Sequence, residues 1–361
     1  MIQLSIFESK VMFYSLLVLG PFILQISKYA RNKLSKHFFI ILSFIILVLP
    51  LGFRACGIDH ETYILWFKYP ELTTFPYRGS PEPLYELLIL FSHYIVKSYW
   101  PMYFIPGCLF IGGTLYFISK KCLDYYIALS YIYMTLYIYM CGITRFSAAA
   151  GLLCIAFTDF NKTKRYFILV ILATMFHYTA IVGVLIYFTY KAKSSITFRN
   201  IIIISIGFYI FGLVFSRYGS GLPLGIYRLA SYVHLSLNFG AIKNVVLAIP
   251  AIIFLFFNYD ELVNIDYEIK NVKKIILLMI IFIFASFLME GVFRLCWYFY
   301  IFVAYIYALI LPLKFGPNLH YFGSITILKC ILVIIGMAYI NMVFFDSLYV
   351  TQYILPFSFI F

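Results

Sequence analysis

Five arginines, Arg54, Arg145, Arg217, Arg228 and Arg294, sit beside apolar runs in a chain that is 64% hydrophobic and 11% charged. A guanidinium stays protonated and grips phosphate oxygens through a two-pronged fork, so such a set suits an anionic ligand, above all a diphosphate. An ionisable group in or beside a membrane span costs a few kcal/mol, and those that persist pair, line a cavity or bind something. Pairing with nearby carboxylates, or anchoring to lipid headgroups, is the competing explanation for each arginine. Asp59 and Glu61 follow Gly57, which permits a tight turn, and suit a general base, a sugar contact or plain solvated loop charge. Two carboxylates at that spacing do not specify a metal site, and no bound ion is expected. Glu290 and Arg294, four apart, would share a helix face with Tyr298 one turn on, either as a structural ion pair or as part of a site. His177 stands alone in the apolar stretch ATMFHYTAIVG, as hydrogen-bonded packing or as a proton carrier near neutral pH. No nucleophile elbow, Walker loop, HExxH or dinucleotide fingerprint occurs, which removes the commonest soluble chemistries.

The elements that hold these residues must be membrane helices. A mean hydropathy of +0.97 over 361 residues cannot be enclosed in one soluble globule. Several runs approach the roughly 20 apolar residues needed to cross a ~30 Å hydrocarbon core, and no ten-residue alternation suggests a barrel. The expectation is an all-α, polytopic integral membrane protein of about ten to twelve helices, a single membrane domain over 1–361. The net charge of +13 falls largely in short Lys/Arg clusters beside apolar runs, as topological anchors do, so no nucleic acid is expected as partner. Seven cysteines lie singly without a CxxC pair and read as buried free thiols. The first apolar run lacks a small-residue cleavage site and reads as a retained helix.

Charge asymmetry assigns the sides. Spans at about Val11–Ser27 and Phe38–Gly52 flank a cluster of Lys28, Arg31, Lys33 and Lys36, which belongs in the cytoplasm. Residues 53–101 then form an external loop carrying Arg54, Asp59, Tyr63 and Glu82. Within it, Glu82, Glu86, His93 and Lys97 follow one helical stripe, and Leu84–Trp100 reads as a helix lying in the external interface, with a tilted span as the alternative. Spans at Met102–Ser119, Asp124–Cys141 and Arg145–Phe160 bring the Gly142–Arg145 turn to the same face as Arg54. Tyr166–Tyr190 is basic at both ends, so a helix broken near Phe176 and His177 fits the charge rule better than one crossing. Spans at about Ile201–Ser216, Phe239–Phe257, Ile275–Met289, Leu295–Leu313 and Ile325–Val343 follow. They leave a second external loop at 217–238 and put Glu290–Arg294 and the aromatic tail outside.

Five separated blocks, read together, resemble the EpsG-like family of Wzy-type O-antigen and exopolysaccharide polymerases. Arg54-Ala-Cys-Gly57-Ile-Asp59-His-Glu-Thr-Tyr63 is similar to that family's R-x-x-G-x-D-y-x-x-Y, and Glu82-Pro83-Leu-Tyr85 to its E-P-x-[YF]. Gly142-Ile-Thr-Arg145 is similar to its G-I-R with one added residue, and Phe176-His177-Tyr-Thr-Ala180 to its F-H-x-[ST]-A. Phe293-Arg294-Leu-Cys-Trp-Tyr298 is similar to its late arginine-tyrosine block. Ile58 and His60 depart from a commoner small residue and aromatic, and Phe146 from a polar residue after the arginine. The resemblance implies a GT-C-like membrane glycosyltransferase of the bacterial inner membrane, with its site facing the periplasm and no metal or other cofactor. The implied substrates are undecaprenyl-diphosphate-linked oligosaccharide repeat units, with membrane lipid and a chain-length regulator protein as partners. It implies transfer of a growing chain to the non-reducing end of a new unit, releasing undecaprenyl diphosphate in lipopolysaccharide or related polysaccharide biosynthesis. A flippase, transporter or ligase acting on the same lipid-linked sugar is the alternative. On this reading Arg145, His177, Arg294 and Asp59 carry the chemistry, and Arg54, Arg217, Arg228, Glu290, Tyr298, Tyr63 and Glu82 hold substrate.

Overall fold

A computed structural model describes residues 2–57, 59–73, 82–193, 248–286, 292–314 and 357–359, with single positions 203, 206, 207, 210, 246, 335 and 338. The chain divides into two compact units, Met1–Ile181 with Tyr307–Phe361 and Val182–Ile306. The fold is all-α, as expected; a pair of two-residue strands is the one exception among the described residues.

In the first unit a short strand, β1 (Ile2–Gln3), leads into α1 (Ile6–Tyr29). Ser5 and Glu8 cap α1 reciprocally: the Ser5 hydroxyl accepts from the Glu8 N–H at 3.2 Å, and the Ser5 N–H donates to the Glu8 carboxylate at 2.7 Å. Asn32 caps α2 (Lys33–Gly52) by a single bond, its Oδ1 accepting from the Ser35 N–H at 2.7 Å. Segment 53–101, read from sequence as an external loop with one helix at Leu84–Trp100, is largely helical over its described residues. It holds α3 (His60–Lys68), a 3₁₀ turn at Pro70–Thr73, and α4 (Pro83–Leu90), which widens into a π-helical stretch at Phe91–Val96. Lys97, left-handed at φ 56°, ends it. The wider π turn breaks the 3.6-residue stripe from Glu82 to Lys97, and His93 turns its Nδ1 to the Phe67 carbonyl at 2.7 Å. Fourteen residues rising 1.5 Å each reach about 21 Å, short of a full crossing.

Next come α5 (Pro101–Lys121), α6 (Tyr125–Ile132), a π-helical turn at Tyr133–Tyr137, α7 (Ile138–Met140), α8 (Thr144–Ala156) and α9 (Thr163–Phe176). Helices α1, α2 and α5 are long and apolar enough to cross a membrane alone. The buried α6–α7 segment is tied to two of them by hydroxyls that must find acceptors in an apolar interior. Tyr133 donates to the Phe13 carbonyl at 2.9 Å and Tyr137 to the Leu47 carbonyl at 2.7 Å. Helices α5 and α8 meet backbone to backbone at Gly113 and Gly151, where a methyl on either glycine would overlap the facing carbonyl.

The tail strand β2 (Ser358–Phe359) pairs antiparallel with β1, Ile2 opposite Phe359 and Gln3 opposite Ser358, and Arg54 bridges to Phe359. The Ala55 N–H donates to the Ser358 carbonyl at 2.6 Å. The N-terminus, the end of α2 and the tail therefore lie on one side, as the order of spans requires. At the other end of α1, Lys28 Nζ donates to the Leu123 carbonyl, bringing the first basic cluster beside the end of α5.

Helix α9 stops at Phe176, His177 is extended (φ −157°, ψ 117°), and a 3₁₀ turn follows at Tyr178–Ile181. The break expected near His177 is present. In the second unit, α10 (Val182–Lys191) ends on the Lys274 ammonium, which donates to the carbonyls of Tyr190 at 3.1 Å and Ala192 at 2.7 Å. The unit continues through α11 (Ile249–Phe257), α12 (Tyr259–Ile265), α13 (Ile269–Ser286), α14 (Phe293–Cys296) and the first part of α15 (Tyr300–Lys314). The expected spans at Ile201–Ser216 and Ile325–Val343 lie almost wholly outside the described residues.

Gly151→Leu forces α8 off α5 and is expected to cost on the order of 3 kcal/mol, with loss of the monodisperse detergent-solubilised species on heating. Gly112→Ala on the same α5, whose added methyl meets only a Phe44 ring atom at 3.5 Å, is expected to leave the melting temperature unchanged or slightly raised.

Candidate active site

Glu82 precedes Pro83, and a residue before proline is held extended; here φ is −68° and ψ 153°. Its side chain does not cap α4 but turns into the fold, 3% exposed. One carboxylate oxygen lies 2.7 Å from Arg145 Nη1, and the other accepts from His177 Nδ1 at 2.8 Å and from the Tyr178 N–H at 3.4 Å. Three separate segments thus converge on one carboxylate: the start of α4, the first turn of α8 and the break after α9. The break places an imidazole there without orphaning backbone, since the His177 N–H returns to the Ala173 carbonyl and its carbonyl accepts from the Ala180 N–H, both at 2.9 Å.

Arg145 stands at the N-terminal turn of α8, where the helix dipole adds to its positive charge, so an anionic partner there is stabilising. Its guanidinium lies 5.4 Å from the centre of the Trp66 ring and close to the Tyr63 hydroxyl and Asp59. Arg145 Nε is buried and has no hydrogen-bond partner among the described residues. His177 has its Nδ1 taken by Glu82, and the Phe146 ring stands edge-on to it at 5.7 Å. The unusual Phe146 is thus a wall of the imidazole pocket.

Burial pushes the Glu82 carboxyl upward, but the His177 hydrogen bond and the charges of Arg145 and His177 outweigh it and pull the group down to about 2. Tyr63, fully buried on α3, is pushed up to about 12 by burial, with Asp59 adding and Arg145 opposing. Its hydroxyl donates to Asp59 Oδ2 at 3.1 Å.

Arg54 is placed differently. It is 1% exposed and turns its terminal nitrogens into the fold, Nη1 on the Leu51 carbonyl and Nη2 on the Met140 carbonyl at 3.2 Å and the Thr144 hydroxyl at 2.9 Å, while its buried Nε has no partner among the described residues. Its guanidinium lies 4.9 Å from the Tyr103 ring centre. Next to it Gly57 takes φ +132°, and a Cβ there would come 2.7 Å from the Cys141 carbonyl oxygen. Arg54 and Gly57 therefore fasten the loop before α3 to the turn before α8, which brings Asp59 and Tyr63 to Arg145. His60, whose Nδ1 lies 2.7 Å from the Tyr103 hydroxyl, is held down to about 4, chiefly by burial and then by the Arg54 charge, and is neutral at physiological pH.

Of the residues singled out from sequence, the first unit gathers Asp59, Tyr63, Glu82, Arg145 and His177, with Arg54 behind them. Arg294, half-buried in α14, and the buried Tyr298 belong to the second unit. Arg217, Arg228 and Glu290 lie outside the described residues. Sequence reasoning missed Trp66, although it follows Tyr63 by three residues and so shares its helix face. Thr144 and Tyr178 stand inside the family-like blocks, but their contacts are not readable from them, and Phe146 shows in sequence only as a departure from the family pattern. Among the described residues no group of three His, Cys, Asp or Glu side chains is arranged to hold a metal ion.

The architecture is that of an all-α membrane protein with a buried carboxylate joining an arginine to a histidine. The EpsG family model matches residues 37–359, and the chain belongs to that family. No curated protein and no solved structure matches the chain. Family membership supports a general role in polysaccharide polymerisation.

Glu82→Gln leaves Arg145 and His177 without their shared counter-charge and is expected to cost about 3 kcal/mol. Because the folded carboxyl is held below its unfolded value of 4.5, that difference is present in full above about pH 5 and disappears as the pH falls toward 2. Melting curves of the wild type and variant from pH 7 to pH 3 check it; a gap independent of pH contradicts the assignment.

Proposed function

We propose that this chain is a polysaccharide polymerase of the bacterial inner membrane. It joins oligosaccharide repeat units carried on undecaprenyl diphosphate, at a site facing the periplasm. The growing chain leaves its lipid diphosphate and is transferred to a hydroxyl at the non-reducing end of the next unit. The observation that carries this reading is the Glu82 carboxylate shared between Arg145 and His177. It pairs a base with a cation in a buried setting, the two groups that transfer from a diphosphate needs.

In the proposed step the acceptor oxygen forms a bond to the anomeric carbon as the bond from that carbon to the diphosphate oxygen breaks. The acceptor proton passes to His177 Nε2, and the bonding pair leaves on the diphosphate. Glu82, holding Nδ1, fixes the tautomer and stabilises the imidazolium that forms. Arg145, with the start of α8 behind it, meets the charge developing on the leaving group. Asp59 and Tyr63 orient the acceptor sugar. Arg54 is proposed as a positioning residue that holds the loop before α3 in place.

In a deletion strain complemented with Arg145→Ala, Arg145→Lys or His177→Ala, polymer is expected to fall about 100-fold while single lipid-linked units accumulate and the protein inserts normally. Surface polysaccharide resolved by length checks it. Collapse of the ladder to one unit is the expected result, wild-type ladders in all three sink the assignment, and loss of even single capped units points to a flippase or ligase.

A further inference from the structure

At the opposite end of α2 from Arg54, a groove of about 580 Å³ opens between α2 and α5. Its mouth is cationic: Lys33 and Lys36 from the first turns of α2 and Lys120 at the end of α5 line it together with His37, and no carboxylate does. Neither Lys33, Lys36 nor Lys120 has an acidic partner among the described residues. Beyond these charges the wall becomes apolar, formed by Ile40, Ile41 and Phe44 on one side and Leu115 on the other. At 1.5 Å per residue the groove runs about 16 Å along α2 from Lys33 to Phe44, and its apolar part, from Ile40 to Phe44, takes up the last ~6 Å. Gly112 keeps this part open, since the position carries no side chain and the nearest neighbour of an added Cβ is Phe44.

We propose that this groove binds one anionic diacyl phospholipid, its phosphate held by Lys33, Lys36 and Lys120 and one acyl chain lying against Ile41, Phe44 and Leu115. Two features select this occupant. Lysines grouped at the level where a span meets the interface attract a net negative headgroup, and a zwitterionic headgroup would bring its own cation into the cluster. The apolar wall below them runs in the direction an acyl chain takes, so a soluble phosphate would leave it uncovered and a peptide would leave backbone groups unsatisfied. The volume lies within the range of ligand sites. The site is built by the same two helices whose far ends carry Arg54 and Tyr103, and it involves none of the residues assigned to glycosyl transfer.

The test uses the purified full-length protein in a neutral detergent. Phosphatidylglycerol, phosphatidylcholine, inorganic phosphate and undecaprenyl phosphate are titrated in turn, with binding followed by native mass spectrometry and by melting temperature. Phosphatidylglycerol is expected to bind one per chain and raise the melting temperature, while phosphatidylcholine and inorganic phosphate do neither. Lys33→Gln/Lys36→Gln/Lys120→Gln is expected to weaken that binding on the order of 100-fold. The corresponding triple arginine variant retains it, and Gly112→Leu, which plugs the groove without altering charge, abolishes it. Equal binding of phosphatidylcholine, undecaprenyl phosphate in place of phosphatidylglycerol, or unchanged affinity in both the glutamine triple and Gly112→Leu overturns the proposal. If the triple variant fails to fold, Gly112→Leu alone decides.

Discussion

The Glu82 carboxylate, buried between Arg145 and His177, is the interaction on which the first unit's site depends. A lone arginine at a helix N-terminus inside a membrane protein is unfavourable twice over, through desolvation and through the helix dipole. One carboxylate relieves both and at the same time orients an imidazole. Removing Arg145 would leave the buried carboxylate without its counter-charge, and removing His177 would leave one of its oxygens short of a donor. Because they come from the start of α4, the start of α8 and the break after α9, the cluster also fixes how those segments meet. Catalytic preorganisation and fold are here the same set of contacts.

A second layer holds that layer in place. Arg54 looks from its motif like a ligand for phosphate, yet its donors go to backbone carbonyls at the ends of α2 and α7 and to Thr144. It ties the loop before α3 to the residue preceding Arg145. Gly57 allows the close approach, and the tail strand closes over Arg54 through Phe359 and over Ala55 through Ser358. The two ends of the chain therefore help position a loop that bears on the site. Deeper in the bundle, Gly113 and Gly151 let α5 and α8 touch backbone to backbone, setting the depth at which Arg145 sits.

Much of this was legible before any coordinates. Hydropathy set the class, and the helix limits expected for the first two spans and for the one beginning near Met102 fall within a few residues of α1, α2 and α5. Basic clusters on both sides of Tyr166–Tyr190 revealed the break at His177, because one crossing would have violated the charge asymmetry. Contact-level detail was not legible. Nothing in the spacing of Glu82 says that it joins Arg145 to His177, since those pairings lie 63 and 95 residues apart in sequence. Arg54 was misleading for a related reason: side-chain type gives the chemistry a group is capable of, whereas burial decides whether backbone or ligand receives it. The π-helical stretch after Leu90 and the tail strand were invisible because neither has a compositional signature.

The most direct measurement is made on the purified protein in liposomes, supplied with a synthetic single repeat unit on undecaprenyl diphosphate. The account predicts oligomers of two units and more, one undecaprenyl diphosphate released per new linkage, and rates reduced about 100-fold in Arg145→Lys and in Glu82→Gln/His177→Ala. Oligomers formed at wild-type rate by those variants, with the protein shown intact, would contradict it.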